Sequence, residues 1–415
     1  MKRSTFFPAL AGYLIGYLYI CCFLTGFSGN RSPREWCPLL FTLAFVLWAW
    51  AILPEPFRRD RLVFPVCMVL TALALALDRC RATDFYAVLA LHVFAVLWAL
   101  SEEGSLDHWL GFLAECVWGG LCLPFLNFFL REKHVFRGTR EILGSTKKGS
   151  LKKQLPSILL VLFAVPLFAL AANLLGQADA AFGTLLEHLF SFRSPQWLSD
   201  FFLRFLFGLP VGGWLYGLLA GQRGSNRNPL PPERFQRFEP KLIVGIWSAF
   251  IGLYIVFFAV QATSLFAVFH GTVPGTLTAS AYARQGFFQL CQVMVINFLL
   301  IGLGQLLCKD QAPLRLPGVL LLVETVFLAV TAAGKLVLYI HRFGFTPLRL
   351  LSAWGVGVMV YGCLLAAPSL YGRKGCFRVW VYGAAVSFTA LCFYYTCTAP
   401  HPSRLRRATL SQERV

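Results

Sequence analysis

Residues 318–341 read GVLLLVETVFLAVTAAGKLVLYIH, with one Glu, one Lys and a closing His set among apolar side chains. As a helix the stretch is about 36 Å long at 1.5 Å per residue, enough to cross about 30 Å of hydrocarbon. A helix this apolar around most of its circumference is either largely enclosed in protein or surrounded by lipid. The rest of the chain decides for lipid, because apolar runs of the same kind recur at 6–27, 37–54, 62–77, 85–101, 108–130, 155–175, 199–221, 242–268, 285–308, 348–370 and 379–398. The fold expected is all-α, a polytopic integral membrane helical bundle of eleven or twelve transmembrane helices. The short 62–77 and 85–101 runs are the ones that need not cross fully.

Composition agrees. Of 415 residues, 57% are hydrophobic and 13% charged, and mean hydropathy is +0.65. A soluble domain carries about 25% charged residues. The net charge of +18 sits mostly in short connections, where Lys and Arg set orientation and meet anionic headgroups. No basic stripe interleaved with aromatics lies outside the apolar runs, so nucleic acid is not an expected partner. The thirteen Cys include no Cys-x-x-Cys pair, and most lie in apolar runs, where Cys acts as a small hydrophobe. Neither a disulfide framework nor a metal site nor a cofactor is expected.

Two connections are strongly basic. Residues 131–154 hold eight Lys or Arg against two Glu, and residues 222–241 hold five against two, with four prolines. Two helices separate them, so both lie on one face, which their charge makes cytoplasmic. This divides the chain into an N-terminal segment of four or five spans (1–130), a basic cytoplasmic loop (131–154) and a main membrane domain of about seven spans (155–415). Five helices before residue 131 would put the N-terminus outside, against the preference of Lys2 and Arg3, so its side stays open. Between spans, 181–193 has the pattern of a short interfacial amphipathic helix.

Ionisable groups inside spans are costly and therefore candidate sites. At 100° per residue, Glu324, Thr331, Lys335 and Arg342 fall within about 20° of one line, a polar stripe down one helix. Glu324 and Lys335 are about 16 Å apart along it and cannot pair directly. Glu324 suits a proton or cation, Lys335 an anion. Gln292, beside Gln289 and Asn297, gives the preceding helix a polar flank. Glu115 and His92 are the other ionisable groups well inside spans. Gly208, Gly212, Gly213, Gly217 and Gly221 form small-xxx-small pairs, the pattern of close helix packing. The joint at 338–354, LYIHRFGFTPLRLLSAW, reads as a corner. Gly344 stops one helix, Thr346 caps the next, Pro347 fits its first turn, and Arg342 and Arg349 anchor at headgroups.

There is no H-E-x-x-H, G-x-S-x-G, Walker A or kinase signature, and nothing announces an enzyme. Two stretches, YARQGFFQL (282–290) and YIHRFGFTPLRLLSAW (339–354), resemble a family of bacterial multi-pass membrane proteins of unknown function, in the group labelled 4153 and 4173. The matching positions are Tyr282, Ala283, Gly286, Phe287 and Phe288, then Tyr339, Phe343, Gly344, Thr346 and Arg349, and the likeness covers 155–400. It implies a bacterial cytoplasmic-membrane protein and lends no activity or catalytic residue. The function expected is transport-like, along a polar path holding Glu324, Lys335 and Gln292. The alternative is a membrane sensor or regulatory subunit whose basic loops contact a cytoplasmic partner. A lipid-directed transferase using Glu115 or His92 ranks third.

Overall fold

The computed structural model describes residues 5–24, 36–53, 59–77, 81–100, 116–144, 168, 175, 196–222, 236–269 and 286–398. Among them the regular structure is entirely helical: α1 (Phe6–Tyr19, followed by a π-helical turn at Ile20–Leu24), α2 (Cys37–Ile52), α3 (Arg59–Leu77), α4 (Arg81–Leu100), a π-helical Cys116–Cys122 leading into the single turn α5 (Leu123–Leu126), α6 (Leu130–Gly144), α7 (Gln196–Gly221), α8 (Pro240–Phe269), α9 (Phe287–Leu307), α10 (Arg315–Phe343, entered by a 3₁₀ turn), α11 (Pro347–Leu370) and α12 (Cys376–Thr398). Eight of these segments are long and apolar enough to cross a membrane, and the apolar helices Cys37–Ile52 and Leu62–Leu77 are shorter. The protein is a multi-pass helical membrane protein. The run expected at 155–175, apart from residues 168 and 175, and the one at 181–193 lie outside the described residues.

The helices gather into two compact units, each drawn from two parts of the chain. One takes Met1–Pro56 and Trp118–Arg227, the other Phe57–Val117 and Asn228–Val415. This differs from the division into an N-terminal and a C-terminal segment read from the sequence, because α3 and α4 dock with the last helices.

In the first unit, α1 lies against α7 on glycine. A Cβ on Gly16 would fall 2.1 Å from the Gly208 carbonyl oxygen, and one on Gly212 would fall 2.3 Å from the Gly12 carbonyl oxygen. Backbone therefore touches backbone, which only glycine permits. Gly213, Gly217 and Gly221 turn to a different neighbour: Cβ atoms there would meet Phe128, the Pro124 carbonyl and Asn127. One glycine-rich helix thus seats two partners.

Most of the stretch read as a cytoplasmic loop, 131–144, is helical as α6, which packs on α1 and α7. Its inward face is not an apolar stripe, which is why composition hides it. Arg131 is 3% exposed. Its guanidinium lies 3.9 Å over the Tyr13 ring, and its Nε donates to Glu132 Oε1 at 2.9 Å. A Cβ on Gly12 or Gly212 would press on this side chain, at 3.1 Å and 2.7 Å. One turn on, His134 Nδ1 and Tyr216 Oη are 2.7 Å apart, and Gly138 receives the Phe6 ring. Trp48 of α2 closes the cluster, donating from Nε1 to the Pro8 carbonyl at 2.7 Å.

In the second unit, α8 and α9 pack on α10, α10 on α11, α11 on α12, and the α3–α4 pair on α12. Buried positions on α9 step by four and three: Leu290, Met294, Asn297, Ile301, Gly304. That spacing is the seam of a near-parallel bundle. Trp247 of α8 fills the groove at one end, its ring against Gly304 and Gly318, where Cβ atoms would clash at 2.3 Å and 3.1 Å. Two tryptophans tie α11 to α12: Trp380 Nε1 donates to the Val358 carbonyl at 2.9 Å, and Trp354 Nε1 to Ser387 Oγ at 3.0 Å. Thr71 on α3 and Thr389 on α12 share a hydrogen bond of 3.2 Å.

The corner at 338–354 is built differently from the sequence reading. Gly344 has φ +77°, a conformation that favours glycine, and Pro347 opens α11. Thr346, however, makes no side-chain cap bond; its carbonyl instead accepts the Leu350 N–H at 3.2 Å. Arg349 also closes the end of α10. Its Nη1 donates to the Phe343 carbonyl at 2.8 Å and to that of Gly344, and its guanidinium stacks 4.2 Å from the Tyr339 ring. A cation on the last carbonyls of α10 satisfies groups that a helix end leaves open.

Candidate functional site: a polar layer in the α8–α10 bundle

Two neighbouring apolar clusters of the second unit frame the middle of α9. Phe287, Leu290, Met294, Leu328, Ala332 and Leu336 form one. Ile301, Leu321, Leu322, Cys363 and Leu370 form the next. Asn297 lies on α9 between Met294 and Ile301 and is 0% exposed. It is the midpoint of the 21-residue α9, about 15 Å from either end.

A buried amide at that depth must find partners within the protein. Tyr254 of α8 donates to Asn297 Oδ1 at 2.7 Å. Asn297 Nδ2 donates to Thr325 Oγ1 of α10 at 2.9 Å, and Thr325 donates to the Leu321 carbonyl one turn back at 2.6 Å. One hydrogen-bonded chain therefore joins three helices at a single level. Neither Tyr254 nor Thr325 was singled out by the sequence. Thr325 is adjacent to Glu324, but Tyr254 stands among many aromatics with no mark of its own.

Glu324 sits at the edge of this chain. Its side chain is half-buried, and its Oε2 is enclosed with no hydrogen-bond partner among the described residues. The carboxyl lies close enough to the Tyr254 phenol to act on it electrostatically. Further along the stripe, Thr331 is buried and bonds back to the Phe327 carbonyl at 2.9 Å. Lys335 is also half-buried and reaches the start of α9, where a Cβ on Gly286 (φ +85°) would lie 3.1 Å from its Nζ. Glu324, Thr331 and Lys335 face protein, while Val323, Phe327, Val330 and Val337 of the same helix are exposed.

The other sequence candidates do not join the layer. Gln292 and Gln289 are exposed on α9, on a different face from Asn297. His92 Nδ1 is 2.7 Å from the Val88 carbonyl, four residues back on its own helix α4. Glu115 lies outside the described residues, as do Tyr282 and Ala283 of the first family motif. Among the described residues no three His, Cys, Asp or Glu side chains converge on a metal-sized point. The arrangement sets one half-buried carboxyl, Glu324, beside a chain of hydroxyl and amide groups.

The family described as Domain of unknown function (DUF4153) matches residues 65–400, and the chain belongs to it. The match starts well before residue 155, where the sequence resemblance begins, and takes in about two thirds of α3 and the whole of α4. No curated protein and no solved structure matches the chain.

Proposed function

We propose that this DUF4153 member is a transport-like protein of a bacterial cytoplasmic membrane, in which Glu324 carries a proton or small cation through the middle of the α8–α10 bundle. The observation behind this reading is the polar layer itself. Tyr254, Asn297 and Thr325 bond to one another between apolar clusters, and the Glu324 carboxyl beside them has an enclosed oxygen without a partner among the described residues. An ionisable side chain in the middle of a membrane span is costly, and such residues characteristically line ion or proton paths. Lys335, lower on the same stripe, supplies positive charge where the path nears the end of α10. The basic connections meet anionic headgroups on the cytoplasmic side.

The test is flux in sealed proteoliposomes under an imposed potential, with pyranine inside to follow protons and a sodium-sensitive dye in a parallel preparation. Protein-dependent flux of one ion should fall at least tenfold in Glu324→Gln, with the variant still monodisperse. Flux no greater than in protein-free vesicles, or equal in wild type and Glu324→Gln, would defeat the proposal. The rival reading, a regulatory subunit, predicts no flux and a stoichiometric partner on the basic segments.

A further inference from the structure

We infer that the outward face of α6 is a docking surface for anionic phospholipid. The inward face fixes how the helix sits. Arg131 is enclosed over Tyr13 and beside Gly12 and Gly212. His134 bonds Tyr216, and Gly138 takes the Phe6 ring. With that side locked, Phe136, Arg140, Lys133 and Arg137 share a sector of about 100° on the other. All four are exposed. Phe136 is 46% exposed and Phe129, in the turn before the helix, 74%. Two large aromatics flanked by three cations form an interfacial surface, with rings for the acyl boundary and bases for phosphates.

The charge on this face is largely uncompensated. Arg137 pairs with Glu141 at 3.4 Å, both well exposed, but Lys133 and Arg140 have no acidic partner among the described residues. The chain continues from α6 into Lys147, Lys148, Lys152 and Lys153, which extends the same sign. The complementary occupant is a sheet of negative headgroups, and in a chain that crosses the bilayer such a sheet is always adjacent. The Arg131 clasp gives the surface a fixed orientation. This rests on, and gives a surface to, the reading that the basic connections meet anionic headgroups; it stands apart from the transport path, because lipid retention and ion flux are measured separately.

The experiment reconstitutes full-length protein into vesicles of phosphatidylcholine and phosphatidylglycerol at 4:1. After gentle detergent extraction, the lipid that stays bound is measured by headgroup mass spectrometry. Wild type should retain phosphatidylglycerol above its share. Lys133→Gln/Arg137→Gln/Arg140→Gln should bring the retained fraction back to about the one-in-five share of the vesicles, since each basic residue near the surface contributes on the order of a few-fold. Lys133→Arg/Arg140→Lys should keep the enrichment. If the triple variant does not fold, salt serves instead: raising it from 50 to 500 mM should strip the enrichment from wild type. Enrichment that survives either the triple substitution or high salt would overturn the inference. So would a soluble protein that binds wild type, is lost in the triple variant and leaves the lipid ratio unchanged.

Discussion

Replacing Asn297 with leucine removes the centre of the polar layer while keeping a side chain of similar size. Two hydrogen bonds go, one from Tyr254 and one to Thr325. Side-chain hydrogen bonds between transmembrane helices average about 0.6 kcal/mol and reach about 1.7 kcal/mol. Losing both costs about 1–3 kcal/mol, part of it from the Tyr254 hydroxyl left buried without an acceptor. Thr325 loses less, because its bond to the Leu321 carbonyl survives. The cleanest measure is a double-mutant cycle with Tyr254→Phe, read from equilibrium unfolding in mixed micelles. The coupling should be about 0.6–1.7 kcal/mol. Thr389→Val, which removes a bond to Thr71 elsewhere in the unit, should add to Asn297→Leu within about 0.5 kcal/mol. Additivity of Tyr254→Phe with Asn297→Leu, or a fully stable Asn297→Leu protein, would refute the chain of bonds as drawn.

Gly16→Ala should lower thermal stability by about 1–3 kcal/mol, because its Cβ meets the Gly208 carbonyl and one helix must move off the other. Gly355→Ala, with nothing within 4 Å, should stay within about 0.5 kcal/mol of wild type or gain slightly. Equal melting of the two variants in detergent would show that the α1–α7 crossing is looser than described. Arg349→Lys keeps the charge but loses the paired donation to Phe343 and Gly344 and the stack on Tyr339. It should cost about 1–2 kcal/mol and speed hydrogen exchange in the last turn of α10; unchanged exchange there would mean the guanidinium is not a cap.

How much of this was visible in the residues depends on the solvent. The stripe on α10 was legible, because Glu324, Thr331 and Lys335 are polar against a uniform apolar ground and their angles alone put them on one side. Gln292 and Asn297 were not separable by type, since both are amides on α9. The four-three spacing of Leu290, Met294, Asn297 and Ile301 would have favoured Asn297. That signal is weak in a membrane, where lipid-facing Val295 and Ile296 are as apolar as the core. Tyr254 was hidden for the same reason. The helix α6 looks like a loop in the sequence because its inward face is made of Arg131, His134 and Gly138, which look like solvated residues until Gly12, Gly212 and Tyr13 are brought beside them. The glycines of α7 announced close packing, but the sequence could not say that they serve two neighbours.

The bond between Thr71 and Thr389 has a consequence for how the protein is made. The two residues are 318 positions apart. A ribosome adding about 5–20 residues per second needs roughly 15–60 s to travel from one to the other. During that interval α3 and α4 are already synthesised, with Thr71 and its buried neighbours facing whatever surrounds them in the nascent membrane. The final seat of the first-made helices of this unit is thus supplied by the last-made one, so a chain cut short before α12 leaves them without the wall they pack against.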